Sequence, residues 1–448
     1  MATGLMRNTV TNIKAQLSVI HFLALLSLIL QIPGFFGEDI VNARKNYLNG
    51  DRTDFWGGIS TLIYAHVPNF GFRWQIWLAI FQILLTTIGL NRILSFDKKR
   101  KINYLLNLFI AYSALVFGSQ MTRDGLMFSL LVFGYSELTR TLINQKQKKF
   151  FVLPILVISL AMSFRPWLSL AIIPIVLFAL SKFKATTRKS LSLSMAIFIV
   201  IMPLAIDTLA KQSLELKRSY PEQQVMLMDS AATYCYSSNL NSGLMAKSSL
   251  ALFSNDPSFT EFACQLYRPD TWVSLTQSIN ASSQGFKADF GLIQPNETYK
   301  YQDLRSAWIK TIFSDPVTYL QNKILLGSKI LVASESRGLS IFSANSDSTK
   351  AMALFRIPFE IALTLHLYSL LALLLILFFN PIKNLFLRKS EGIMIEKTSV
   401  YLIGSIILWT TLSSIAYIGS NGRYTYALTI LSLIIYASRN RNSNVSDR

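Results

Sequence analysis

Apolar residues in this chain gather in long runs, not at the two-residue interval of a half-buried strand or the narrow 3.6-residue stripe of a surface helix. A helix needs roughly 20 mostly apolar residues to cross about 30 Å of hydrocarbon. Runs of about that length cover residues 17–36, 74–95, 102–121, 125–143, 150–164, 166–181, 190–209, 356–380, 398–418 and 424–438. The pattern predicts an all-α polytopic membrane protein of about ten transmembrane helices. The short fifth and tenth runs fit tilted or kinked elements inside a bundle. Three parts follow: a membrane domain of about seven spans over 1–209, one large extracytoplasmic loop over 210–355, and a membrane domain of about three spans with a cytoplasmic tail over 356–448.

Two outer segments break the apolar pattern, 37–73 and 210–355. In the first, Asp54, Phe55 and Trp56 precede the apolar, aromatic stretch Ile59 to Phe70. That stretch predicts a helix lying in the membrane interface with its aromatic residues at headgroup depth. In the second, Asp315-Pro316 opens a run through Tyr319, Leu320, Ile324, Leu325, Ile330 and Leu331. This is the spacing of an amphipathic helix with Asp315 at its N-cap, packed on the bundle or on headgroups.

Composition agrees with the runs: 51% of the 448 residues are hydrophobic and 15% charged, and mean hydropathy is +0.38. A net charge of +19 raises the question of nucleic acid. The placement of the basic residues answers it differently. Lys98, Lys99, Arg100 and Lys101 follow the second run; Lys146, Lys148 and Lys149 the fourth; Lys182, Lys184, Arg188 and Lys189 the sixth; Lys383, Arg388 and Lys389 the eighth; Arg439 and Arg441 the tenth. Basic clusters after every even run are what ten spans with both termini in the cytoplasm require. They explain the charge without a nucleic-acid partner. The first run lacks a small-residue cleavage site and is expected to be a retained span. Cys235 and Cys264 both fall in the large outer loop, where an oxidising compartment lets them pair as a disulfide.

Candidate chemistry lies in the outer loops. Arg123, Arg165 and Arg423 stand between spans three and four, five and six, and nine and ten. An arginine at the outer end of a bundle needs a partner, water or an anion, and its planar fork suits phosphate or carboxylate. Snorkelling to headgroups or pairing with a neighbour such as Asp124 is the alternative for each. Glu38 and Asp39 follow the first span, with Asp51 and Asp54 further along the loop. A carboxylate at this depth can take the proton of an acceptor hydroxyl, and Asp39 is the preferred base. Asp124 is either a second site carboxylate or a charge favoured by a helix dipole. His66 can meet a substrate, whereas His21 and His366 are expected to face the bundle. Glu137 and Arg140, at i,i+3 inside a span, are expected to neutralise each other. No nucleotide-phosphate loop, His-Glu-x-x-His or Cys-x-x-Cys occurs.

Taken in order, these residues resemble the GT-C superfamily of membrane glycosyltransferases. The elements are Gly37-Glu38-Asp39-Ile40 after the first span, Asp54-Phe55-Trp56, Phe81-Gln82-Ile83-Leu84, Thr122-Arg123-Asp124-Gly125, Phe164-Arg165-Pro166 and Gly422-Arg423-Tyr424. The His-Pro-Pro element that often follows the Asp-Trp is replaced by Gly57-Gly58-Ile59. The resemblance implies transfer of a hexose or pentose from a polyprenyl-phosphate carrier to a glycan, lipid or protein acceptor on the extracytoplasmic face, with inversion, as in cell-envelope polysaccharide biosynthesis. Asp39 would be the base, with Glu38 beside it and Asp124 near the acceptor or a divalent cation such as Mg or Mn. Arg123, Arg165, Arg423, Asp54, Trp56, His66 and Tyr424 would bind substrate. Two other functions use similar parts: a polymerase acting on lipid-diphosphate-linked repeats, and a lipid-linked glycan flippase or transporter. Seven spans before the large loop and three after it fit poorly with the two related halves of a transporter.

Overall fold

The computed structural model describes residues 19–28, 38–68, 74–94, 110–112, 114–115, 117–118, 122–143, 152–180, 185–253, 257–268, 275, 298–332, 392–416, 431–432 and 435. Among them the protein is all-α, with a single isolated parallel bridge between Thr53 and Lys217.

The helices follow the apolar runs closely. From the N-terminus they are α1 (Val19–Leu28), α2 (Glu38–Leu48), α3 (Gly58–His66), α4 (Trp74–Leu94), α5 (Arg123–Ile143), α6 (Val152–Met162), α7 (Ser169–Leu180) and α8 (Ala185–Ser213). A second group follows: α9 (Gln223–Tyr236), α10 (Leu240–Ala251), α11 (Pro257–Leu266), α12 (Thr298–Ser314) and α13 (Pro316–Val332), and then α14 (Gly392–Ala416). The run at 356–380 lies outside the described residues. Those at 17–36, 102–121 and 424–438 are described only in part, and their described residues are helical.

Two helical stretches, Trp74–Ile93 and Ser194–Ser213, are long and apolar enough to cross a membrane; Val19–Leu28, Val152–Met162, Pro166–Leu177 and Val400–Ile415 are shorter apolar helices. Their outward faces are also apolar: Trp77, Phe81, Leu84 and Ile88 form an exposed stripe on α4, as do Ile197, Ile201 and Leu204 on α8.

Small residues set the contact between α4, α5 and α6. A Cβ on Gly89 would sit 2.8 Å from Val132, and one on Gly134 would sit 2.8 Å from Ile158. Such small residues let the helix backbones approach closely. Thr86 Oγ1 donates to Ser129 Oγ at 3.0 Å across the same seam, and Arg92 pairs with Glu137. These contacts make α4 and α5 parallel neighbours. Glu137 forms the expected i,i+3 ion pair with Arg140 at 3.8 Å and also pairs with Arg92 of α4.

The segment after Trp56 also departs from expectation. Its helix spans Gly58–His66 and does not lie free in the interface; Ile59, Tyr64 and Ala65 are buried, and the helix packs between α2 and α8. Arg44 of α2 donates from Nη1 to the carbonyls of Tyr64, Ala65 and Val67 at 2.6, 3.2 and 3.0 Å, satisfying the C-terminal turn of α3. Those contacts explain the burial. His21 is exposed, but it reaches the neighbouring helix, with Nε2 3.5 Å from Nδ2 of Asn91 on α4.

Helices α9 to α12 enclose a second core built on Leu227, Ala231, Leu250, Ala263 and Leu304. Cys235 and Cys264 join α9 to α11 in a disulfide with Cα atoms 5.2 Å apart. This second core falls within residues 210–355.

Candidate functional site

Thr122 opens α5: its Oγ1 accepts from the N–H of Gly125 at 3.0 Å, which leaves Asp124 in the first helical turn. Across from it α6 ends in a tight reversal. Arg165 N–H donates to the carbonyl of Met162, the carbonyl of Arg165 accepts from Leu168, and Pro166 begins the next turn. Two chain ends therefore meet. Arg165 Nε lies 3.1 Å from Asp124 Oδ1 and its Nη2 3.3 Å from Oδ2, a bidentate pair whose residues are 5% and 3% exposed.

Residue 129 is level with residue 86 across the α4–α5 seam. By the same offset Asp124 is level with Phe81, seven residues, or about 10 Å, along from Trp74 at the outer end of α4. The pair is therefore set well inside the bundle. Sequence alone offers Asp124 to Arg123 or leaves both arginines to an anion; in the fold it is Arg165 that takes the carboxylate. Arg123 is half-buried beside it.

A second polar assembly forms where the first outer loop meets the large one. Asp54, 4% exposed, accepts from Ser219 N–H at 2.7 Å and Ser219 Oγ at 2.8 Å on Oδ1, and from Arg218 Nη1 at 3.2 Å on Oδ2. Lys211 Nζ stands 3.9 Å from Asp54 and 2.8 Å from Asp207. Asp207 in turn accepts the N–H groups of Gly58 and Ile59 at 2.8 and 3.2 Å, capping α3 from α8.

The two glycines are required by this approach. Gly57 has φ +86°, and a Cβ at Gly58 would come within 2.4 Å of the Asp207 carbonyl. On the far side Arg218 pairs with Glu222, which also accepts from Tyr301 Oη at 2.6 Å. Burial and that hydrogen bond push the Tyr301 phenol up to about 12. For Arg218, burial works against the charge, but the carboxylates of Glu222 and Asp54 outweigh it and raise the pKa.

A third buried charge pair seats the outer domain. Asp229 accepts from Lys323 Nζ at 2.7 Å and from Trp308 Nε1 at 3.2 Å, and Lys323 also reaches the Ile415 carbonyl at 3.4 Å. Burial pushes the Asp229 carboxyl up, opposed by the Lys323 ammonium and the indole N–H.

The expected site residues thus divide. Asp124 and Arg165 meet directly. Asp54, expected to meet substrate, is committed to Ser219, Arg218 and Lys211, because the backbone bridge of Thr53 with Lys217 brings those residues over it. His66 ends α3, exposed, with Nδ1 2.8 Å from the Leu62 carbonyl and its ring 5.9 Å from that of Tyr47. Glu38 and Asp39 open α2, but their side chains, like that of Trp56, lie outside the described set, as do Arg423 and Tyr424 altogether.

Sequence reasoning missed Asp207, Lys211, Arg218, Glu222, Tyr301, Asp229 and Lys323. Two pairs carried a legible signal, opposite charges at i,i+4: Asp207 with Lys211 at the end of an apolar run, and Arg218 with Glu222. As a test of a divalent cation, Asp124 is bridged through both oxygens to a guanidinium, and no group of three or more His, Cys, Asp or Glu converges among the described residues. These residues do not form a cage for such an ion, and no step below is routed through one. No family model, curated protein or solved structure matches the chain.

Proposed function

We propose that the chain crosses the membrane about ten times and is a glycosyltransferase that moves a sugar from a polyprenyl-phosphate carrier to an acceptor on the extracytoplasmic face. The observation that carries this reading is the bidentate Asp124–Arg165 pair, buried inside an apolar bundle about 10 Å along from the outer end of α4. A buried ion pair is a poor device for stability alone, since apolar residues of similar volume often serve as well or better. Ionisable residues at such a depth mark function by default. Asp124 fixes the plane of the Arg165 guanidinium, and Arg123 adjoins the pair. The pair itself is close to neutral, so the positive charge that stabilises a departing phosphate comes from the neighbouring Arg123.

The exposed apolar stripes of α4 and α8 support the membrane assignment, and the inner basic clusters support the sidedness. The reaction is a direct displacement. The acceptor oxygen forms a bond to the anomeric carbon as the carbon–oxygen bond to the lipid phosphate breaks, so the phosphate leaves with the electron pair. The acceptor proton passes to Asp39, the carboxylate that the sequence places at the outer end of the first span.

The test is turnover of polyprenyl-phosphate sugars by the protein in lipid nanodiscs. Wild type should release the carrier phosphate and glycosylate an acceptor, and Asp39→Asn should bind donor but not turn it over. Full activity of a folded Asp39→Asn removes the base. No turnover of any monosaccharide donor, with chain extension from lipid-diphosphate oligosaccharides, would replace this reading with a polymerase.

A further inference from the structure

Helix α13 belongs by sequence to the outer loop, yet its contacts place it beside α14. Lys323 Nζ reaches the carbonyl of Ile415, one residue before the end of α14. Further along α13, a Cβ on Gly327 would lie 3.5 Å from Ser414 and 3.7 Å from Thr410. As the α13 numbers rise, the α14 numbers fall, so the helices are antiparallel. Helix α13 descends beside α14 from the outer end. The described part of α13 from Lys323 to Val332 descends about 13 Å, less than half the hydrocarbon thickness.

The side of α13 away from α14 is exposed and has no described residue packed over it. Val317, Leu320 and Ile324 are 63, 57 and 63% exposed, with Leu325 beside them, whereas Thr318, Lys323 and Leu326 on the other side are buried. On α14 the exposed residues Val400, Ile407, Leu408 and Ile415 form one outward face. That face ends at Ile415, level with Lys323 and Ile324. The two apolar surfaces are continuous.

We infer that α13 is a half-inserted helix: the outer loop seats it in the outer leaflet, with Ile324 and Leu325 at the hydrocarbon edge and Leu320 among the headgroups. The occupant of this face is lipid. The inference rests on the membrane assignment proposed above, and continuity with α14 selects lipid over another protein. Leu320 lies about 6 Å above Ile324, within the roughly 5–7 Å of interface on each side of the hydrocarbon. A helix with one apolar and one polar face binds in this layer. Because α13 starts from Asp315 and carries the Lys323–Asp229 pair, its insertion fixes the outer domain over the bundle.

The test places bimane on single cysteines introduced by Leu320→Cys, Ile324→Cys, Ile407→Cys and Lys247→Cys, with the native disulfide intact, in bilayers carrying nitroxide lipids labelled near the glycerol or near the chain end. Ile324→Cys should lose most of its emission to the shallow quencher and less to the deep one. Leu320→Cys should respond to the shallow quencher only, Ile407→Cys to the deep one, and Lys247→Cys on α10 to neither.

If Ile407→Cys is quenched while Ile324→Cys keeps its emission, the anchor is overturned and the membrane assignment stands. If both keep their emission, the membrane assignment fails first. If Ile324→Cys is shielded from lipid and crosslinks to a second molecule, the face belongs to another copy and the anchor is again overturned.

Discussion

The Asp124–Arg165 pair and the Asp54 assembly solve the same problem, a buried carboxylate, in opposite ways. Asp124 is gripped through both oxygens by one guanidinium, deep in the bundle. Asp54 shares its charge among a backbone N–H, a hydroxyl, an arginine and a more distant lysine, and two of those cations have second carboxylates in Asp207 and Glu222. The first arrangement holds the carboxylate by a two-point grip from a guanidinium; the second spreads over several separate contacts. Removing Arg165 takes away two hydrogen bonds at once, so it should cost more than removing any one partner of Asp54.

The largest effect expected is at Arg165. Arg165→Ala removes the bidentate guanidinium from a buried carboxylate and should cost about 3–5 kcal/mol, measured as loss of thermal stability in detergent. The double variant Asp124→Leu with Arg165→Met should recover most of that stability and still lack transferase activity. Recovered activity would make the pair structural.

Gly58→Ala should come next. Its Cβ would press on the backbone of α8 at Asp207 and Lys211, and overpacking of this kind costs typically 1–3 kcal/mol. Faster hydrogen exchange across α3, with α5 and α6 unchanged, would confirm that the damage is local.

Asp54→Asn should cost about 1 kcal/mol, near the net worth of one hydrogen bond, because Lys211 and Arg218 keep Asp207 and Glu222. A loss equal to that of Arg165→Ala would erase the distinction between the two regions.

The smallest effect concerns pH. Hydrogen bonds from Ser237 Oγ and from the N–H and hydroxyl of Thr318 hold the Asp315 carboxyl below its ordinary value. A depressed carboxylate contributes stability that is present above the unfolded value, near pH 4, and is lost as pH falls through the folded one. Protection of the first turn of α13 should therefore weaken below about pH 4, and Asp315→Asn should flatten that dependence.

Much of the fold was legible in the sequence because hydrophobic runs act locally. Helices α4, α5, α6 and α8 fall on runs at 74–95, 125–143, 150–164 and 190–209, and Asp315-Pro316 marks the start of α13. The helix after Trp56 was legible as a helix but not as a buried one, since its burial comes from Arg44 and Asp207, both distant in sequence. Gly57-Gly58 looked like a departure from a family pattern. In the fold it is the close approach of α3 to α8.

What the sequence determined by itself is which apolar segments are helical; that Cys235 and Cys264 come close enough to bond, Cα atoms 5.2 Å apart, was decided by the packing of α9 on α11. The apolar length of each run and the rhythm of basic residues also set the sidedness proposed for it. What only the tertiary structure decided is which charges meet. Arg165 lies 41 residues from Asp124, Arg218 164 from Asp54, and Asp207 149 from Gly58. Helix formation is dictated by neighbours along the chain, whereas partners at those separations are chosen by how close small residues such as Gly58, Gly89 and Gly134 let the helices come.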